Sequence, residues 1–202
     1  MAQQRWARVR QDELASAGRP PEAEPAGAEP ADPEPDTESI ARAIALRRLS
    51  VAPQTRAQLD DAMRRRGVPD EIRERVLVRF GEVGLIDDAM FAEAWVESRH
   101  AGRGLAKRAL AFELRRRGVE PAVVDEAVER LPARQEEATA RALVAGRLAG
   151  TRSLEPAART RRLAGMLARK GYPAGLAFRV VRDALDAEGV SEAEMPDEPG
   201  DD

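Results

Sequence analysis

The chain has 202 residues, no cysteine and a formal net charge of −3, from 33 Lys and Arg against 36 Asp and Glu. The absence of cysteine excludes a disulfide framework, a thiolate nucleophile and a Cys-ligated zinc site. Residues 39–188 nevertheless carry 29 basic and 21 acidic side chains, because both ends of the chain are acidic. A basic body favours a polyanionic or acidic partner, although an arginine-rich composition alone would explain part of the excess.

Both ends of the chain have the composition of disordered segments. Residues 22–36 read EAEPAGAEPADPEPD and offer no large apolar side chain to bury, so burial cannot offset the entropy cost of ordering them. We expect disordered acidic tails at residues 1–37 and 189–202. The N-terminus lacks the apolar core of a signal peptide, and no apolar run approaches membrane-spanning length. We therefore expect a cytoplasmic protein without membrane association.

The first helix of the folded part is expected from residue 39 onward. Ser39 is the expected N-cap, and Ile40, Ile44 and Leu49 are the expected apolar face of this helix. In the next helix, Thr55 and Gln58 have the spacing of a capping box.

One pattern then occurs three times, as LDDAMRRRGVPDEI, LAFELRRRGVEPAV and LAGMLARKGYPAGL. Its glycines, Gly67, Gly118 and Gly171, are 51 and 53 residues apart. In each copy, apolar residues lie four and eight positions before the glycine and five and nine positions after it. This spacing predicts a helix on each side of a glycine that ends the first of them.

Each further copy of the pattern is also preceded by a helix. In the stretch DDAMFAEAWVESR, Asp87 is the expected cap and Asp88 a first-turn carboxylate that the helix dipole favours. Phe91 and Trp95 lie one turn apart and are expected in the core, with an exposed edge of this helix contacting a partner as the alternative. ARQEEATARALVAGRL supplies the corresponding helix of the third copy.

These elements predict an all-α protein without strands, since no segment shows sustained period-two alternation. The expected architecture is an elongated tandem array of three three-helix repeats at residues 38–86, 87–132 and 133–188. Units of this size are near the lower limit of independent stability, so we expect neighbouring repeats to bury their ends against one another.

The basic residues beside each glycine have two explanations. Arginines in the last turn of a helix complement its dipole, which accounts for one or two charges per repeat. Three consecutive arginines span about 200° of the helix circumference, so at least one must face solvent or a partner. The candidate partner-binding residues are the clustered basic side chains Arg64, Arg65, Arg66, Arg99, Arg103, Lys107, Arg108, Arg115, Arg116, Arg117, Arg161, Arg162, Arg169 and Lys170.

The segments GLIDDAMFAEAWVESR (84–99) and GRGLAKRALAFELRRRGV (102–119) resemble the RecX family, regulators of the RecA recombinase. The resemblance covers roughly residues 40–188. It implies tandem three-helix units that bind along the groove of the RecA–DNA filament. It also implies modulation, mostly inhibition, of RecA recombinase, ATPase and co-protease activity in DNA repair and the SOS response. The expected partner is the RecA filament, with contact to DNA left open, and we expect a monomer.

The sequence contains no catalytic constellation, so we expect no enzyme, no cofactor and no metal. It has no phosphate-binding GxxxxGK[ST] loop, and His100 is its only histidine. Adjacent aspartates on a helix point about 100° apart and converge poorly on one metal ion. Two other functions stay open: a nucleic-acid-binding protein that acts on DNA without RecA, and a helical adaptor for an acidic protein. The low number of aromatic residues speaks against single-strand stacking platforms.

Overall fold

The folded part of the chain is helical throughout. The computed structural model describes residues 36–189, and none of them lies in a β-strand, which confirms the all-α prediction. The helices are α1 (Thr37–Val51), α2 (Arg56–Arg64), α3 (Asp70–Glu82), α4 (Asp88–Arg103), α5 (Lys107–Arg115), α6 (Pro121–Glu129), α7 (Ala133–Leu148), α8 (Pro156–Arg169) and α9 (Ala174–Ala187). A 3₁₀ turn, Ala149–Thr151, follows α7. The expected disordered tails lie outside the described residues, apart from their innermost positions.

The helices form three tandem repeats: α1–α3, α4–α6 and α7–α9. In each repeat, a glycine with a positive φ separates the second helix from the third: 76° at Gly67, 77° at Gly118 and 89° at Gly171. After the first of these glycines, the Val68 N–H donates back to the Met63 carbonyl at 3.2 Å. This bond closes the end of α2 in the way that left-handed C-terminal glycines generally do. The predicted order of helix, glycine and helix is therefore confirmed.

The buried positions recur with the repeat. Residues four and eight positions before each glycine are almost completely buried, at 0–1% exposure: Leu59, Met63, Leu110, Leu114, Leu163 and Leu167. Those nine positions after it, Val76, Ala127 and Val180, are 1–4% exposed. Full burial of a leucine side chain stabilises a fold by about 1.5–3 kcal/mol. The residues five positions after the glycine, Ile72, Val123 and Leu176, are only partly buried. The spacing around the glycine therefore identifies three buried core positions in every repeat.

The described residues divide into two compact units. One contains residues 36–94 and 116–123, and the other contains residues 95–115 and 124–189. The first unit has a core built from α1, α2 and α3, with Leu59, Met63 and Leu77 among its most buried side chains. The second has a core in which Ala106 joins side chains of α7, α8 and α9. The middle repeat thus contributes residues to both units.

The beginning of α1 differs from the sequence prediction. The N-cap is Asp36, not Ser39: the Asp36 carboxylate accepts a hydrogen bond of 2.6 Å from the Ser39 N–H, which lowers the pKa of Asp36. Of the predicted apolar face, Leu49 is buried at 4% exposure and Ile44 is partly buried against the core, whereas Ile40 is 42% exposed. Ala41 and Ala45 are completely buried in its place. Small alanines allow α1 to approach its neighbours closely, so the larger isoleucine lies at the edge of the contact.

The start of α2 is capped as predicted and also contacts the next repeat. The Thr55 hydroxyl accepts from the Gln58 N–H at 3.2 Å, and the Gln58 side chain accepts from the Thr55 N–H at 3.1 Å, so the capping box is confirmed. The same hydroxyl donates to the Arg117 carbonyl at 2.7 Å. A Cβ built on Gly118 would lie only 2.3 Å from the Ala57 Cβ. Repeat 2 therefore approaches the start of α2 closely, through the residues at its glycine.

Equivalent contacts join repeats 2 and 3 within the second compact unit. The Ala106 N–H, just before α5, donates to the Lys170 carbonyl at 2.9 Å. A Cβ on Gly171 would lie 2.6 Å from the Ala109 nitrogen. The adjacent Tyr172 hydroxyl donates to the Gly104 carbonyl at 3.1 Å. Burial raises the pKa of Tyr172 to about 12, so this donor keeps its proton at neutral pH.

A carboxylate completes each of these two contacts. The Arg56 N–H at the start of α2 donates to Asp88 at 2.9 Å, and the Lys107 N–H at the start of α5 donates to Glu136 at 2.9 Å. Each acid comes from the first helix of the following repeat. Burial, partly offset by this hydrogen bond, raises the pKa of Asp88. The Asp87 carboxylate bonds within its own helix instead, accepting from the Met90 N–H at 2.9 Å.

The close approach of repeat 2 can be tested with glycine-to-alanine substitutions. Gly67→Ala introduces a side chain at positive φ with no other atom within 4 Å, so the free energy of unfolding should fall by about 1–2 kcal/mol. Gly118→Ala suffers the same backbone strain and also collides with Ala57, which should add roughly 1–3 kcal/mol. Urea unfolding followed by circular dichroism measures both. Equal losses in the two variants would contradict the proposed close contact.

The cap by Asp88 can be tested by comparing two substitutions over pH. Asp88→Ala leaves the Arg56 N–H without its acceptor and should lower the free energy of unfolding by about 1 kcal/mol. Asp88→Asn keeps an acceptor oxygen without a charge. The folded state raises the pKa of Asp88. The contribution of the Asp88 side chain to the free energy of unfolding of the wild type therefore falls as pH rises through that pKa. The free energy of unfolding of the asparagine variant should thus rise relative to that of wild type as pH rises above about 4, the ordinary pKa of an aspartate. A pH-independent difference would contradict the pKa shift.

Candidate partner-binding surface

The three arginines of the first basic segment are not equivalent. The guanidinium groups of Arg64 and Arg65 pair with Asp61 at 2.6 and 2.5 Å. The hydrogen bond from Arg64 is the main cause of the lowered pKa of Asp61. Arg66 is exposed and has no carboxylate within 4 Å among residues 36–189. Only one arginine of this segment therefore presents a charge that the fold leaves uncompensated.

The second basic segment takes part in contacts within the fold through both side chain and backbone. Arg115 pairs with Asp125 at 2.8 Å. Arg116 is exposed, while Arg117 is partly buried, and its carbonyl accepts the hydrogen bond from the Thr55 hydroxyl. The backbone of this segment thus has a structural role in joining repeats 1 and 2.

The third basic segment contains one engaged and one exposed cation. The Lys170 ammonium donates to the Arg103 carbonyl at 2.5 Å, while the Lys170 carbonyl accepts from Ala106. Arg169 is exposed. Both the backbone and the side chain of Lys170 therefore form hydrogen bonds within the second compact unit.

A subset of the predicted basic residues has side chains without a carboxylate partner among the described residues. We call these the unpaired basic residues: Arg66, Arg103, Lys107, Arg108, Arg161, Arg162 and Arg169. All are exposed except Lys107, which is partly buried. Arginine presents a planar fork of donors that suits phosphate and carboxylate groups. These side chains can therefore take up an anionic partner without first breaking an internal ion pair.

Sequence reasoning missed several arginines of the same kind. Arg47 and Arg48 line an open groove of about 690 Å³ in repeat 1, together with the predicted Arg66 and the exposed apolar side chains of Ile40 and Val51. Arg147, which no basic cluster in the sequence singles out, lines a pocket in repeat 3. The adjacent pair Arg47–Arg48 was a usable signal, whereas an isolated arginine such as Arg147 gave none.

A polar contact holds α4 against α5. The Trp95 Nε1–H donates to the Glu113 carboxylate at 2.9 Å. The Arg99 guanidinium lies 4.1 Å from the centre of the Trp95 ring and 3.7 Å from Glu113. Phe91 is buried, at 5% exposure, whereas Trp95 is only partly buried and not enclosed in the core. Arg99 is therefore an internally paired cation, stabilised by both the ring and the acid.

The single histidine is part of the fold. His100 is 3% exposed, and its ring nitrogens lie 2.9 Å from the Leu105 carbonyl and 2.9 Å from the Thr139 hydroxyl. Within residues 36–189, no group of three or more His, Cys, Asp or Glu side chains could hold a metal ion. No helix of the described part is both long and apolar enough to cross a membrane.

Comparison with known families gives three matches in chain order. Residues 41–80 match the first three-helix domain of RecX, residues 87–128 the second and residues 135–181 the third. The regulatory protein RecX of Thermobifida fusca is 64% identical over 161 residues, covering 80% of this chain and 86% of that protein. The regulatory protein RecX of Mycobacterium avium is 46% identical over 156 residues, covering 77% and 90%.

Solved structures agree with the fold. The crystal structure of RecX from Lactobacillus salivarius superposes with a TM-score of 0.70 at 16% identity, covering 75% of this chain and 98% of that one. A second crystal structure, of a regulatory protein RecX, gives a TM-score of 0.66 at 20% identity. The chain is thus a tandem three-helix repeat protein with exposed arginines. It belongs to the RecX family of regulatory proteins.

The contact between Trp95 and Glu113 can be tested by separating the ring from its N–H donor. Trp95→Phe keeps an aromatic ring beneath Arg99 but removes the hydrogen bond, and should lower the free energy of unfolding by about 1 kcal/mol. Trp95→Ala removes the ring as well and should cost about 3 kcal/mol. Urea unfolding measures both, and a phenylalanine variant as stable as wild type would contradict a role for the hydrogen bond.

Proposed function

We propose that the chain is a non-catalytic regulator that binds the RecA–DNA filament and mostly inhibits the recombinase, ATPase and co-protease activities of RecA. The observation that carries the proposal is the ordered match of residues 41–181 to all three RecX domains. A family of regulatory proteins acts through binding, and all three repeats supply helical surface for it. The unpaired basic residues are the proposed contacts with the filament.

The charge distribution supports an anionic partner. The paired arginines, such as Arg64 and Arg115, have carboxylates within hydrogen-bonding distance, whereas Arg66, Arg103 and Arg108 are exposed without one in the described part of the chain. Exposed charges of one sign steer a charged partner and raise the association rate. Such a surface would attract both DNA phosphates and acidic RecA surfaces.

The proposal can be tested through RecA-catalysed ATP hydrolysis on single-stranded DNA. The wild-type chain should inhibit hydrolysis. The triple variant Arg66→Gln, Arg103→Gln and Arg108→Gln should inhibit about tenfold less well, as expected from a loss of about 1.4 kcal/mol of binding free energy. Both chains should have the same melting temperature, because these side chains have no internal carboxylate partner.

A matched control removes the same number of positive charges from paired positions. Arg42, Arg79 and Arg130 form ion pairs with acids three or four residues away in the chain, so the variant Arg42→Gln, Arg79→Gln and Arg130→Gln should inhibit like wild type. Inhibition weakened equally in both variants would mean that net charge, not these positions, governs binding. A wild-type chain that binds naked duplex tightly and leaves RecA unaffected would favour direct action on DNA instead.

A further inference from the structure

One set of arginines in repeat 3 is already neutralised by the acids of that repeat. Arg141 on α7 pairs with Glu137 at 2.8 Å and with Asp183 on α9 at 3.0 Å. Arg159 pairs with Glu188 at 2.5 Å. The hydrogen bonds from Arg159 and Arg152 lower the pKa of Glu188, and the bond from Arg141 lowers that of Glu137. These carboxylates are therefore occupied by their own arginines.

A second set of arginines in the same repeat surrounds one concavity. Arg147, Arg162 and Arg169 line a pocket of about 310 Å³. Gly150, Thr151, Leu163 and Met166 complete its lining. None of the three arginines forms an ion pair with a carboxylate among residues 36–189. Three like charges at one pocket repel one another, and an anion placed between them would remove that repulsion.

The arginines are positioned by two regular helices. Arg162 and Arg169 are seven residues apart on α8, so they lie on one face and about 10 Å apart along the axis. The neighbouring Leu163 side chain is 1% exposed and packs α8 against the core. Arg147 comes from the last turn of α7. The resulting row of cations suits an extended polyanion better than a single small anion.

Helix-end electrostatics explains only part of this arrangement. Arg147 and Arg169 are in the last turns of α7 and α8, where a cation is favourable because of the helix dipole. Arg162 lies in the middle of α8, where this effect has decayed. The dipole also gives no reason for three arginines to line the same pocket.

We propose that this pocket binds the backbone phosphates of a nucleic-acid strand, through Arg147, Arg162 and Arg169. Guanidinium groups bind phosphate oxygens in a bidentate manner, and phosphate contacts hold a strand without reading its sequence. This assignment rests on the proposed function, since it names the DNA of the filament as the partner of the pocket. Binding to an oligonucleotide does not itself require RecA.

Fluorescence anisotropy with a labelled single-stranded oligonucleotide at several salt concentrations tests the site in the full chain. Each lost phosphate contact should reduce the slope of log K against log salt by about 0.7, so the triple variant Arg147→Gln, Arg162→Gln and Arg169→Gln should lose about 2. The matched control is Arg182→Gln, on α9 of the same repeat, exposed but outside the pocket. It should keep the wild-type slope. The three single variants, each expected to lose about 0.7, replace the triple variant if that one does not fold.

Several outcomes would overturn the site. A triple variant with the wild-type slope would do so, as would a loss of slope in Arg182→Gln as large as that of a single pocket variant. A wild-type chain that does not bind the oligonucleotide would also do so. Tighter binding of ATP than of the oligonucleotide would overturn the assignment to a strand. A chain that inhibits RecA without binding DNA would refute this site alone. A chain that binds DNA through the pocket and leaves RecA unaffected would refute the proposed function alone.

Discussion

The close approach of one repeat to the next at a left-handed glycine is the contact on which the rest of the arrangement depends. At Gly118 and Gly171, a side chain would overlap atoms of the preceding repeat, and the positive φ excludes most other residues. The approach brings the carbonyl before each glycine to the N-terminus of the preceding repeat's second helix. Helix N-termini carry unsatisfied N–H groups and a partial positive charge, so a carbonyl and a carboxylate are both stabilised there.

This contact gives the repeated basic segment a structural role. In repeats 2 and 3, the carbonyl of the residue before the glycine accepts a hydrogen bond from the preceding repeat, so the recurrence of the segment has a structural cause. In repeat 1, no other repeat precedes the segment among residues 36–189, and a Cβ on Gly67 would lie within 4 Å of no other atom there. Repetition alone therefore does not indicate partner binding. The pairing state of each arginine is the more informative property, because it separates charges used inside the fold from charges that remain available.

The sequence predicted what depends on short-range spacing. The buried positions around each glycine and the capping box of Thr55 follow from helical periodicity within one repeat. The role of Asp88 could not be predicted, because its partner, Arg56, lies 32 residues earlier in the chain. The N-cap of α1 was misassigned because Asp36 and Ser39 are both good capping residues and local sequence does not choose between them. Ion pairs such as that of Arg115 with Asp125 likewise depend on how separate helices pack.

Helix α7 shows how folding and binding can divide one set of charges. Toward α9, it presents Glu137 and Arg141, which form a network with Arg179 and Asp183. Toward α8, its last turn contributes Arg147 to a pocket whose arginines have no acidic partner among the described residues. Opposite charges that meet across helices favour one packing arrangement, whereas like charges around a pocket oppose compactness. The ion pairs between α7 and α9 are therefore explained by their contribution to stability. The arginines of the pocket make no such contribution, so a binding role is the more economical explanation for them.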